Sequence, residues 1–186
     1  GALALDWANV SGETVTLPSL SGEFLQVSGS LTSINLADLI TGSANFTVTR
    51  ELVQVDADGA GVLPAVQAAL LAIELDTLAL RVGTDTVGFQ LSGSNLDIYS
   101  LAPTLVADPR SWLAVDASGF AGSLAVGSIL SATLANVSVK VNTASGLGAL
   151  ALDWANVTGE SVTLPSLAGE FLQVSGSLTS INLADL

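Results

Sequence analysis

The sequence predicts an all-β protein: an elongated β-solenoid or tube-like coiled sheet built from tandem repeats, with β-sandwich modules in tandem as the alternative and at most one short helix. Three observations lead there. Apolar residues alternate with polar ones at period two along most of the 186 residues, the signature of half-buried strands. The composition is rich in Val, Leu, Ala, Ser, Thr and Gly and only 5% aromatic, a mix for pleated segments and tight turns. Finally, residues 1–39, GALALDWANVSGETVTLPSLSGEFLQVSGSLTSINLADL, return as residues 148–186. Only Ser11/Thr158, Thr14/Ser161 and Ser21/Ala168 differ, each a swap between small residues. Residues 1–147 therefore read as one complete unit and 148–186 as the beginning of the next.

Taken in order, the period-two faces are Leu25, Val27, Gly29 and Leu31; Phe46, Val48, Arg50 and Leu52; Leu71, Ile73 and Leu75; Leu78, Leu80 and Val82; Val87, Phe89 and Leu91; and Val137, Val139 and Val141. The alternation slips phase from Leu31 to Ile34, from Leu75 to Leu78 and from Leu91 to Leu96, which predicts bulges, corners or short turns there. One stretch has a helical alternative, with Pro64 at the first helical position ahead of AVQAALLAI, 65–73. The submotif VSGS at 27–30 recurs as ITGS at 40–43, LSGS at 91–94 and VSGS at 174–177. It reads either as a corner of fixed geometry or as hairpin turns. The junction NTASGLGALALDW, 142–154, runs straight into an apolar strand without a polar or Pro-rich linker, which favours a continuous sheet over modules on a string.

Charge and residue inventory bound the function. The net charge is −13, with 17 acidic and four basic residues and no Cys, His or Met. Thirteen acids and all four basic residues fall in residues 1–147. Such a polyanion repels phosphate backbones, so nucleic acid is not an expected partner. Without Cys or His there is no disulfide, thiolate nucleophile, ordinary zinc site or imidazole base. The longest uncharged run, Ala117–Val139, is interrupted by Ser118, Ser123, Ser128, Ser131, Thr133, Asn136 and Ser138, so no transmembrane segment is expected.

The metal candidate is VDADGAG, 55–61, where Asp56 and Asp58 alternate ahead of two glycines. A Ca²⁺ loop needs further oxygen ligands and a bidentate Glu at its twelfth position, which here is Gln67. The pattern is incomplete, and a solvated turn is the plainer reading; no cofactor is expected, with Ca²⁺ at Asp56 and Asp58 as the exception to watch. Glu13 and Glu23 sit in VSGETV and LSGEFL, contexts that suggest surface rather than a desolvated glycosidase pair. Lys140, the sole lysine, lies in the alternating strand VSVKVN, where it points to solvent rather than serving a Ser–Lys dyad. Trp7, Trp112 and Trp154 are expected in core or inter-unit packing. No enzyme is expected from so thin a titratable inventory.

The order of segments resembles repeats in very large, acidic bacterial exoproteins. The stretches that carry it are GEFLQVSGSLTSINLADLITGSANFTVTR, 22–50; VGFQLSGSNLDIYSLAP, 87–103; and DPRSWLAVDASGFAGSLAVGSILSATLANVSVKVN, 108–142. The Ala/Leu-rich insert 60–73 replaces the polar hairpin usual after the first of them. The resemblance implies an extended surface or matrix protein and transfers no catalytic residue. The expected function is therefore structural: a tandem-repeat β-rich filament, sheath component or adhesin stalk, extracellular or at the cell surface. Its partners would be neighbouring units of the same chain and other copies. The alternatives are a Ca²⁺- or carbohydrate-binding surface module and a lipid-carrying β-groove.

Overall fold

A computed structural model describes residues 5–12, 14, 22–57, 65–84 and 86–184. They form one open antiparallel sheet of seven strands in sequential order: β1 (Phe24–Leu36), β2 (Ile40–Val55), β3 (Val66–Gly83), β4 (Val87–Pro103), β5 (Ser111–Val126), β6 (Leu130–Ser145) and β7 (Phe171–Leu183). Every neighbour pair is a meander connection, and β1 and β7 are the two edges. The sheet does not close on itself, and among the described residues there is no second sheet against it. The strands are long: the 18 residues of β3 run roughly 60 Å.

Alternation explains the strands, and one expectation changes. Residues 66–73 are the first half of β3, not a helix. Val66, Ala68, Leu70 and Ala72 share one face, and the last three are fully buried. Ala68 and Ala72 are here as small buried members of a period-two face beside larger neighbours, not because the segment favours a helix.

The phase slips resolve into two kinds. Between Leu31 and Ile34 the β1–β2 register shifts, and at Thr77, held at φ 53°, the β2–β3 register shifts. Both are bulges. Between Leu91 and Leu96 the registers with β3 and β5 run on unbroken. There the change is in polarity, as the apolar residues pass from one face to the other.

Cross-strand partners share a face, so the register defines its rows. On one face, rows Glu51–Leu70–Leu101–Trp112–Ala144 and Thr49–Ala72–Tyr99–Ala114–Asn142–Phe171 cross the sheet at one end of the strands. Next comes a polar row, Thr47–Glu74–Asp97–Asp116–Lys140–Gln173. Farther along, near the hairpin tips, the face is apolar again: Gly42–Leu80–Leu91–Gly122–Leu134–Leu178. The opposite face carries Val27–Val48–Ile73–Ile98–Val115–Val141–Leu172.

The Ser-Gly motifs are neither corners nor turns. Gly29 lies opposite Phe46, whose ring would stand 3.2 Å from an added Cβ. At Gly93 an added Cβ would meet the Phe120 ring at 2.4 Å, closer than real contacts allow. The glycines sit inside strands, and at Gly29 and Gly93 they leave space for an aromatic ring to lie across the backbone.

The hairpin tips are tied together. Gly83 N donates to Leu39 O at 2.7 Å, Gly127 N to Thr86 O at 2.6 Å and Ala184 N to Ile129 O at 2.8 Å. At the other end of the strands, residues 146–170 leave β6, cross the face bearing Tyr99 and Asn142, and return to enter β7. The core forms between this covering segment and the sheet: Val53, Val55, Ala68, Leu70, Ala72, Tyr99, Leu101, Trp112 and Ala114 from the sheet, Leu152, Trp154, Val157 and Leu167 from the segment. Elsewhere none of the described residues forms a second layer over the sheet. The chain exposes 11319 Å², whereas a compact monomer of this mass exposes roughly 8,200 Å².

Candidate functional site

The most elaborated surface is the face that receives residues 148–170. Four strands each offer it a polar side chain. From β2, Glu51 Oε1 accepts from Ser161 N at 2.9 Å. From β4, the Tyr99 hydroxyl donates to Thr163 O at 2.9 Å. From β5, Trp112 Nε1 donates to Leu150 O at 2.9 Å. From β6, Asn142 Nδ2 donates to Leu152 O at 2.7 Å and Gly169 O at 2.8 Å, while its Oδ1 accepts from Trp154 Nε1 at 2.9 Å. Asn142 is fully buried, yet its amide is matched at both ends, as a buried polar group must be.

Three of these four side chains hydrogen-bond to the segment through its backbone alone. The segment adds a two-bond bridge to the end of β2, Gln54 N to Thr158 O at 2.8 Å and Thr158 N to Gln54 O at 3.0 Å. It also pairs with itself, Asp153 opposite Ala168. The anchor is Trp154, completely buried, its ring 6.1 Å from that of Tyr99 and tilted 51°. Ala72 and Ala114 beside Tyr99 make the recess for it. Burying an indole contributes on the order of 4–6 kcal/mol. Trp112, also buried, carries the Arg110 guanidinium 5.6 Å from its ring centroid. Arg110 in turn clamps Asp108, whose carboxyl it holds below the usual range through side-chain hydrogen bonds.

Beside the anchored core lies a row of acids that sequence reading missed. Register sets Glu74 opposite Asp97 and Asp97 opposite Asp116. Like charges directly across a ladder repel. Burial, then the charges of Glu74, Asp116 and Asp76, push the Asp97 carboxyl up to about 6. Burial, then Asp76, pushes Glu74 upward too. Lys140 relieves one end of the row, its ammonium 3.0 Å from Asp116. Burial, followed by these carboxylates, holds the Tyr99 phenol well above its ordinary range, which keeps it a hydrogen-bond donor. In sequence the acids stand in IELDTL, NLDIYS and AVDASG. The available signal was an acid inside an apolar alternation; the missing information was register.

The sequence-predicted site residues fall at the margin of what the structure describes. Asp56 follows directly on β2, and Asp58 lies outside the described residues. Among the described residues no group of three or more acids is placed to hold a metal ion. Glu13 lies outside the described residues, and Glu23 makes an exposed ion pair with Arg50 at 3.7 Å. No helix among the described residues is long and apolar enough to cross a membrane. No family model, curated protein or solved structure matches the chain.

Proposed function

We propose that the chain is a section of a structural tandem-repeat protein whose units share one continuous sheet, and that it serves as an extracellular filament, sheath component or adhesin stalk. One observation carries the reading. β1 and β7 have the same sequence, FLQVSGSLTSINL. β1 pairs with β2 along one edge, and β7 pairs with β6 along the other. Both put their leading Phe on the same face, Phe24 opposite Glu51 and Phe171 opposite Asn142. The same strand is thus seen twice, as the free first member of one six-strand block and, as β7, the first member of the next block paired to the last strand of the one before. Laying β7 on β1 continues the ladder with no exposed edge between units.

The covering segment supports the same reading, because the leading residues of the second copy complete the core of the first block. Growth across the strands lengthens the ribbon by roughly 29 Å for each six-strand unit, at about 4.8 Å per strand. The usual twist between neighbours turns it by roughly 120–150° over the same distance. The acidic surface keeps such a ribbon soluble and unbundled at low salt. Its work is to be long. The resemblance to repeats of large acidic bacterial exoproteins favours an extracellular setting.

The test is to join two and three copies of residues 1–147 ahead of 148–186 and measure their length by small-angle scattering and negative-stain imaging. A rod lengthening by a constant increment per unit is expected. Separate particles on a flexible tether would sink the proposal. A lipid-carrying groove has one observation in its favour, the uncovered row Val27–Val48–Ile73–Ile98–Val115–Val141–Leu172. Acyl chains co-purifying with the chain, detected by mass spectrometry, would move that reading ahead.

A further inference from the structure

Residues 5–12 read LDWANVSG and residues 152–159 read LDWANVTG. Both fold locally into the same 3-10 turn, Trp7–Asn9 and Trp154–Asn156. In the first, Val10 N donates to Trp7 O at 3.3 Å; in the second, Val157 N donates to Trp154 O at 3.3 Å. The surroundings differ completely. Trp154 is 0% exposed and Leu152 3%, whereas Trp7 is 42% exposed and Leu5 54%.

Resting on the reading of the chain as tandem units, we propose that residues 5–12 of one copy are a docking segment for the Asn142–Tyr99 face of a second copy of this chain, where they take the place of residues 152–159. The contacts that 152–159 makes with Asn142 and Gln54 are available to 5–12. Asn142 grips a backbone carbonyl at Leu152 and the indole N–H of Trp154; Leu5 and Trp7 supply both. Gln54 bridges the backbone of Thr158, and Ser11 stands there in the other copy. The one residue that differs over these eight is therefore held through its main chain, where the side chain does not matter. The turn already exists before binding, so little conformational entropy is lost on docking.

The contact is heterologous, the docking segment of one chain on the face of another, and it propagates head to tail as an open assembly. Within a single 186-residue chain the resident 152–159 has the advantage of being tethered. Exchange between chains is consequently slow and becomes visible when the resident segment is loosened.

The chain contains no cysteine, which makes disulfide trapping clean. Gln54 and Thr158 exchange both backbone hydrogen bonds, a pairing whose Cα separation of about 5.5 Å suits a disulfide. Three samples of the intact chain are compared under mild oxidation. In the first, Gln54→Cys with Thr158→Cys closes within one chain. In the second, a Gln54→Cys chain is mixed with a Ser11→Cys chain, both also carrying Trp154→Phe. That change keeps an aromatic ring and removes the N–H that Asn142 accepts, weakening the resident segment by up to about tenfold. The third replaces Ser11→Cys with Ser128→Cys at the β5–β6 tip.

A mixed dimer several-fold more abundant in the second sample than in the third, and returned to the level of the third by Trp7→Ala in the Ser11→Cys chain, is the expected result. Closure in the first sample with equal yields in the second and third, or a yield indifferent to Trp7→Ala, overturns the docking proposal and leaves the tandem reading standing. Failure of the first sample to close overturns the docking proposal at its premise, the seat of 152–159 on β2, and leaves the tandem reading to the length measurement. Repeating the mixture with Trp154 intact at higher protein concentration gives the same dimer more slowly and covers the case in which Trp154→Phe does not fold.

Discussion

The two copies of the 39-residue stretch form an internal experiment. One sequence, changed at three positions, occupies two places in the same molecule. In the second place the indole of Trp154 is buried against Tyr99 and donates to Asn142, and four side chains of the sheet hold the surrounding backbone. In the first place the same turn forms and its indole faces solvent. The strands tell a matching story: β1 and β7 span 13 residues each and pair through opposite edges. Local structure is therefore a property of the segment, and burial is a property of the neighbour that it meets.

The sharpest way to break this comparison is to remove each indole in turn. Trp154→Ala is expected to cost about 3–5 kcal/mol in urea unfolding through lost burial and an unfilled recess. Trp7→Ala is expected to change stability by less than about 0.5 kcal/mol, as for a surface site. Equal losses would mean that the two turns are equally buried in solution.

Asn142→Ala comes next, since it leaves the carbonyls of Leu152 and Gly169 and the indole N–H of Trp154 without their partner. A loss of about 2–4 kcal/mol is expected, accompanied by a red shift and quenching of tryptophan emission. Retained emission would show that the covering segment does not depend on this hub.

The acid row separates the two places by pH. The folded Asp97 carboxyl, at about 6, binds protons more readily than an unfolded one near its ordinary value. The folded state therefore takes up protons as pH falls from about 7 toward 4, and stability rises over that window. Asp97→Asn is expected to remove most of this dependence and to stabilise the chain at pH 7 by about 1 kcal/mol, a value reduced for the solvent screening of a partly exposed group. A stability that falls steadily with acid from pH 7 would contradict the assignment. Because the row adjoins the face that holds Trp112 and Trp154 and not the turn at Trp7, the same titration moves the emission of the buried indoles and not that of Trp7.

The smallest effects belong to the differing positions themselves. Thr158→Ser, Ser161→Thr and Ala168→Ser each exchange one copy's residue for the other's. All three sites meet their partners through main-chain groups, and each change is expected to shift the unfolding midpoint by less than about 0.5 kcal/mol. A larger loss at any of them would show that the copies are specialised.

Much of the fold was legible in the alternation. Val48, Ile73 and Val141 announce strands because β-branched residues at period two fit a pleated, half-buried surface. The slips at Leu31–Ile34 and Leu75–Leu78 announced bulges, corners or short turns, and the register shows bulges at both. The segment 65–73 misled because alanine is small: the composition that favours a helix in isolation also fits a crowded sheet face, and the pattern decides between them. The slip at Leu91–Leu96 misled because a change of apolar face looks in one dimension like an inserted residue.

The candidate site was less legible. Glu51, Tyr99, Trp112 and Asn142 stand on four strands, and only the pairing of those strands sets them on one surface. Glu74, Asp97 and Asp116 became a row by the same route.

By itself the amino-acid sequence determined the strands, the repeat and the 3-10 turn around each Asp-Trp-Ala-Asn, since these rest on side-chain periodicity and on hydrogen bonds spanning a few residues. Tertiary structure alone decided that one such turn is a buried anchor and its twin an exposed one. Hydrophobic burial requires a second surface, and the identity of that surface is fixed by register between strands far apart in the chain.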